Sequence, residues 1–129
     1  MENIYQKINE LSEKYRDYTA ENLSRLIKIK ALTGQEKEVQ LELKRQLEEA
    51  GIDEVIIDGL GNVIGKIGSG SKILAIDGHM DTVDVGSLEN WSFDPLGGEI
   101  RDGFVHGRGS VDQRGGPAAF VTSARILKE

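Results

Sequence analysis

The sequence holds no cysteine, which excludes disulfides, thiolate zinc sites, iron–sulfur clusters and a cysteine nucleophile together. Any metal must be held by histidine, carboxylate or backbone oxygen. Positive charge is also short: 16 Lys and Arg stand against 22 Asp and Glu, a net charge of −6. That is the wrong sign for a surface that neutralises phosphates, so nucleic acid is not expected as a partner. Long apolar runs are missing as well. The opening Met1-Glu2-Asn3-Ile4-Tyr5-Gln6-Lys7 lacks a signal-peptide core, and no later stretch approaches the roughly 18 apolar residues of a membrane helix. These absences predict a cytoplasmic protein with no membrane partner. No repeat, low-complexity tract or interdomain linker is visible, and 129 residues suffice for one modest core, hence one domain or a piece of one.

Glycine is nearly absent from the first fifty residues and clusters after Gly51, where the chain changes character. Before that point Ile4, Ile8, Leu11, Tyr15 and Tyr18 recur three and four apart, the stripe of an amphipathic helix, and Leu23, Leu26 and Ile27 extend it. Thr33-Gly34-Gln35-Glu36 has the form of a capping box, which predicts a second helix starting there. It carries Val39, Leu43, Leu47 and Ala50 on one face and stops at Gly51, a residue suited to the left-handed turn after a helix.

After Gly51 three short β-branched runs follow, Val55-Ile56-Ile57, Val63-Ile64 with Ile67, and Ile73-Leu74-Ala75-Ile76, separated by glycine-rich turns. The third is apolar on consecutive positions, which predicts a central strand buried on both faces. Met80 to Gly109 reads as a long functional loop, with a short hairpin around Glu99-Ile100-Arg101 and Phe104-Val105. Gly115-Gly116-Pro117 opens a last helix with Phe120, Val121, Ala124 and Leu127 on a common face.

Two segments carry chemistry. Directly after the third run stands Gly78-His79-Met80-Asp81-Thr82-Val83. In an extended chain residues two apart share a side, so His79 and Asp81 face one space. A neutral imidazole binds zinc, and a neighbouring carboxylate fixes its tautomer. Alone, the pair is more readily explained by a loop carbonyl on His79 and a turn capped by Asp81. The second segment, Gly107-Arg108-Gly109-Ser110-Val111-Asp112-Gln113-Arg114-Gly115-Gly116, sets one acid among glycines ahead of a helix. Asp112 there either bridges cations or simply caps the helix. A phosphate cradle is disfavoured: no G-x-x-x-x-G-K-[ST] is present, and Gly59-Leu60-Gly61 precedes a strand rather than a helix.

Together the two segments resemble the signature of the M20 family of metallopeptidases and amidohydrolases, which includes acetylornithine deacetylase, succinyl-diaminopimelate desuccinylase and carboxypeptidases. Gly78-His79-Met80-Asp81-Thr82-Val83 is similar to the family's G-H-x-D-T-V, and Gly107-Arg108-Gly109 with Asp112 and Gly115-Gly116 to its G-R-G-x-x-D-x-K-G-G. Trp91-Ser92-Phe93-Asp94-Pro95 resembles the W-x-x-D-P loop between them, and Gly34-x-Glu36 the S-G-x-E helix start. Within the family, Val83-Asp84-Val85-Gly86 and Asp112-Gln113 most resemble the selenium-metabolism-linked hydrolases. Three features depart from the pattern: Lys30-Ala31-Leu32-Thr33 in place of Pro-Ser, Gln113-Arg114 in place of Met-Lys, and His106 before Gly107, which takes no assigned role.

The resemblance implies an α/β fold, the N-terminal portion of a zinc-exopeptidase-like catalytic domain, with a mixed sheet flanked by helices. Residues 1–129 would form one incomplete domain. It further implies that His79 binds one zinc, that Asp112 bridges it to a second, and that Asp81, counted with the catalytic residues, orients His79. A cis peptide between Asp112 and Gln113 is implied too. The reaction is hydrolysis of an amide, in a peptide or N-acyl amino acid, by metal-activated water with a Glu as general base. Zinc, with cobalt or manganese as substitutes, suits these ligands. In the family that Glu belongs to a pair beyond the bridging Asp, and this sequence runs only seventeen residues past Asp112. The pair, the remaining ligands and the lid or dimerisation domain through which a whole member forms homodimers are therefore expected outside it. The alternative expectation is a catalytically inactive α/β fragment or pairing module, with its apolar strand open to association.

Overall fold

The first apolar stripe folds as two helices instead of one. In the computed structural model, which describes residues 3–129, α1 spans Ile4–Lys14 and α2 Arg16–Ile27. Met1 and Glu2, part of the opening stretch read above for a signal-peptide core, lie outside the described residues. Asn3 caps α1 by accepting from the Tyr5 N–H at 3.0 Å. The break falls at Tyr15, whose backbone leaves the helical region at φ −99° and ψ 13°. There its ring is buried, edge-on to Tyr18 with centroids 5.7 Å apart. The Arg125 guanidinium lies 4.7 Å from both ring centres.

The third helix, α3 (Lys37–Glu49), starts later than the capping box predicts. Glu36 reaches back to the Gly34 N–H at 2.8 Å, but the Thr33 hydroxyl donates to Asp81 instead of the helix. The C-terminal end is as expected, with Gly51 at φ 76°. Val39, Leu43, Leu47 and Ala50 are buried with Leu26, Ala31, Ile52, Ala118 and Val121 in one core. Across the α2–α3 contact lies a buried polar cluster: Gln46 Nε2 donates to the Asn22 carbonyl and to Glu42. Glu42 also takes Arg25 at 2.7 Å and Arg45 at 2.6 Å.

Strands β1 (Glu54–Ile57) and β2 (Val63–Lys66) form an antiparallel hairpin, Glu54 opposite Lys66 and Ile57 opposite Val63. Its turn is tied by the Asp58 carboxylate, which accepts from the Leu60 and Asn62 N–H groups and the Asn62 amide. A second hairpin, β3 (Glu99–Arg101) with β4 (Phe104–His106), stands where the long loop suggested one. It docks on α2, where Ser24 Oγ donates to the Gly98 carbonyl at 2.6 Å. Gly98 sits at φ 58°, and a Cβ there would lie 2.6 Å from the Ser24 carbonyl oxygen.

The chain is α/β, as expected, but the sheet content is these two separate hairpins and not one mixed sheet. Ile73–Ile76, read as a central strand, pairs with nothing among the described residues, and Ile73 and Leu74 are 91% and 86% exposed. Neither hairpin pairs with it, and a strand without a neighbour cannot satisfy its own backbone. The last helix, α4 (Gly115–Leu127), buries Ala118, Val121 and Thr122 and leaves Leu127 outside, so its inner face is turned from the predicted one. Thr19 and Thr122 hydroxyls meet at 2.7 Å where α4 crosses α2. No helix among the described residues is long and apolar enough to cross a membrane.

Candidate functional site

His79, Asp81 and Asp112, the three residues singled out in the sequence, come together. His79 Nδ1 faces the Asp81 carbonyl at 3.1 Å and its carboxylate at 3.2 Å. Both are acceptors, so Nδ1 carries the proton. Nε2 then points at Asp112 Oδ1, 3.0 Å away. Two lone pairs do not rest against each other at that distance; the contact requires a proton or a cation between them. Burial pulls the His79 pKa down, but the Asp81 carbonyl and the Asp112 carboxylate outweigh it, and the net displacement is upward from 6.5. Asp81 is held below the ordinary carboxylate range, first by the Thr33 hydroxyl and further by His79.

The backbone around these side chains is fixed by a residue that sequence reasoning treated only as a departure. Arg114 is fully buried. Its Nε donates to the Met80 carbonyl at 2.8 Å, and Nη1 to the carbonyls of Leu26 at 2.5 Å and Ile29 at 2.7 Å. One guanidinium thus clamps the His79 loop to the end of α2. Burial lowers its pKa, with Asp81 acting against that. It stays charged all the same, since guanidinium is protonated throughout the accessible range. The motif puts a basic residue at this position, but the backbone carbonyls that it grips leave no pattern in a sequence.

Two further ties complete the frame. The buried Thr82 donates its N–H to the Ala31 carbonyl at 2.8 Å, and Gln113 Oε1 accepts from the His79 N–H at 3.1 Å. The Asp112–Gln113 peptide is cis, as the resemblance implied. Gly109, at φ 88°, passes so close to Thr82 and Arg114 that a Cβ would lie 2.7 Å from Thr82 Cγ2 and 3.3 Å from Arg114 Cδ. The result is an open cleft of about 280 Å³ lined by His79, Asp81, Thr82, Val83 and residues 107–112. Asp112 is 87% exposed along its side chain and projects into it.

The remaining motifs serve the frame. Trp91 donates its indole N–H to the Val85 carbonyl at 2.8 Å and lies under the Arg108 guanidinium, 5.0 Å from the ring centre. Asp94 accepts from the Leu96 N–H in a turn. His106 packs edge-on to Phe93 and is not part of the cleft wall.

The description "Peptidase family M20/M25/M40" matches residues 75–129, the stretch that holds His79, Asp81 and Asp112. The chain is 41% identical over 120 residues to a protein of Escherichia coli strain K12 called uncharacterized protein YgeY, covering 91% of this chain and 30% of that one. The chain belongs to the M20 family. It is also 39% identical over 110 residues to a probable succinyl-diaminopimelate desuccinylase of Staphylococcus epidermidis (83% of this chain, 27% of the relative). A succinyl-diaminopimelate desuccinylase of Cereibacter sphaeroides is 38% identical over 103 residues (77% and 27%). This M20 chain therefore spans about 30% of the length of the curated relatives it matches.

The donor chemistry at His79 and Asp112 suits a divalent metal: one imidazole nitrogen whose tautomer is fixed, one exposed carboxylate, and a contact that needs a cation. Their number is small. Among the described residues, no three His, Asp or Glu side chains converge as a metal set.

Proposed function

We propose that this chain contributes part of the metal centre of a hydrolase that cleaves an amide bond, in a peptide or an N-acyl amino acid. The observation that carries the reading is the 3.0 Å approach of His79 Nε2 to Asp112 Oδ1 with Nδ1 held by Asp81. His79 and Asp112 would hold the metal, Asp112 in a bridging role between two ions, and Asp81 would keep the imidazole in its binding tautomer. When bound, zinc supplies Lewis acidity toward the amide carbonyl and toward water; cobalt or manganese suits the same donors. Asp81 acts through a chain of contacts: the Thr33 hydroxyl holds the carboxylate, which holds Nδ1–H, which directs Nε2 into the cleft. The acidic balance of the sequence supports a small substrate over nucleic acid, and a cytoplasmic setting is part of the same reading.

A second reading, a pairing module without catalysis, draws on the exposed Ile73–Ile76 run. One titration separates the two. Zinc added to the metal-free chain is expected to move the His79 ring resonances, with weak affinity, a Kd above about 10 μM, because two donors fall short of the three or four of a tight site. His79→Ala abolishes the binding. Zinc that leaves His79 unmoved would overturn the metal reading.

A further inference from the structure

Gln113 holds a place beside the cleft that the proposed donor set does not account for, and it stands where the family resemblance puts Met. The residue is half-buried, and its Oε1 accepts the His79 N–H at 3.1 Å. A backbone N–H is met only by an acceptor, so the amide oxygen is fixed toward His79 and the NH2 group is turned from it. Consecutive residues thereby hold His79 at two points: Nε2 lies 3.0 Å from Asp112 Oδ1, and the backbone nitrogen is tied to Gln113. The next residue, Arg114, takes the Met80 carbonyl at 2.8 Å. Residues 112–114 thus grip the imidazole of His79, the N–H before it and the carbonyl after it.

The same amide fills the space beside Gly78. Gly78 is not among the glycines with a left-handed backbone, so its conformation is open to other residues. Space is what it lacks. A Cβ there would run into Gln113 Oε1 and lie 3.5 Å from Gln113 Cδ and 3.3 Å from Phe120 Cε2. A side chain at position 78 would have to push the Gln113 oxygen off the His79 N–H. The glycine before the histidine makes room, and the glutamine after the acid uses it.

We infer that Gln113 is a positioning residue for the metal centre: by holding the His79 N–H it sets the imidazole against Asp112, and the bare Cα of Gly78 is what admits it. The inference rests on the metal reading proposed above and adds to it a group that touches neither metal nor substrate. Asp81 orients the ring from within the His79 loop, and Arg114 anchors the loop beyond His79, at Met80. Gln113 is the tie on the near side. Without it the link at Gly78, the most permissive residue type, turns freely and carries Nε2 away from Asp112 Oδ1. Metal donors that lose such a hydrogen-bonded neighbour bind about tenfold more weakly, or worse.

The test is a zinc titration followed by the His79 ring resonances in the chain, in Gln113→Ala, in Gly78→Ala and in the double variant, with solvent exchange of the His79 amide measured in each before metal is added. Either single substitution is expected to weaken zinc binding about tenfold and to speed exchange at His79, leaving the amides of α3 as they were. Because both break the same contact, the double variant should also lose about tenfold rather than about a hundredfold. Gln113→Glu keeps an acceptor and should keep the His79 amide slow. Unchanged affinity in Gln113→Ala overturns the inference and leaves the metal reading standing. Losses that multiply in the double variant would part Gln113 from Gly78 and overturn it too. Faster exchange throughout the core in Gln113→Ala would make the residue a support of the fold at large, again against the inference. Zinc that leaves His79 unmoved in the unsubstituted chain overturns the metal reading, and exchange at His79 across the four proteins then decides by itself whether Gln113 holds the loop.

Discussion

The Thr33 hydroxyl, from the segment that leads into α3, donates to the Asp81 carboxylate in the loop that carries His79. The bond joins positions 48 residues apart and is the largest cause of the lowered Asp81 pKa. Thr33→Val keeps the shape and removes the donor. Asp81 is then expected to titrate higher, and zinc affinity to fall by about tenfold, in line with the loss of outer partners at metal-bound histidines. Carbon-13 NMR of the Asp81 carboxyl and a zinc titration check the two halves separately. A variant that binds zinc as before would remove Thr33 from the site.

Arg114 is the residue on which the site depends most for its position. Arg114→Met fills a similar volume but leaves the carbonyls of Met80, Leu26 and Ile29 without their shared donor. A loss of about 3–5 kcal/mol in stability is expected, the range for breaking a buried charged network on one side. Arg114→Lys keeps the charge and not the fork, so it should fall between the two. Urea unfolding orders the three proteins. A drop of less than about 1 kcal/mol for Arg114→Met would contradict the clamp.

Gly109→Ala tests the close passage of the second motif. The position combines φ 88° with a Cβ only 2.7 Å from Thr82 Cγ2, and both neighbours are held by hydrogen bonds of their own. A cost of about 1–3 kcal/mol follows from the backbone region alone. Thermal unfolding measures it, and an unchanged midpoint would show that the strand of chain here can move aside. By contrast Gly68→Ala, at φ 70° with open space around it, pays only the conformational part.

The Asp58 turn has a pH signature. Its carboxylate is held below the usual 3.8, first by the Asn62 side chain and then by backbone N–H groups of the turn. A depressed folded pKa gives stability that is present above the unfolded value and is lost as pH falls through the folded one. Asp58→Asn should therefore be less stable than the original chain near pH 6, and the gap should close below pH of about 3. Denaturant midpoints at the two pH values decide it; a gap that widens in acid would reverse the assignment.

Helices were readable wherever one period governed both local and tertiary structure, as in α3, whose Val39-Leu43-Leu47-Ala50 face is the buried one. The break at Tyr15 was hidden because the apolar stripe continues through it, and only the stacking of Tyr15, Tyr18 and Arg125 explains the kink. Thr33 misled for a related reason: a hydroxyl three residues before a Glu is written the same way whether it caps a helix or reaches a distant carboxylate. The side-by-side placement of His79 and Asp81 follows from spacing. Asp112, 33 residues further on, was marked by its glycine setting as a bridging acid or a cap, but only the family resemblance joined it to His79, and Arg114 was not legible as a clamp at all. The Ile73–Ile76 run carries every local mark of a buried strand, yet burial needs a neighbour that no local mark supplies.

Because Arg114 grips the carbonyls of Leu26 in the last turn of α2, of Ile29 just after it and of Met80 before Asp81 with one planar group, the proposed metal donors and the helix end share a single opening event. Fraying of α2 at Leu26 would release Met80 and with it the aim of His79. A ligand that binds only the aligned donors therefore stabilises that helix end by mass action, although it touches none of its residues. Amide exchange at the carboxyl end of α2 becomes a remote gauge of occupancy in the cleft.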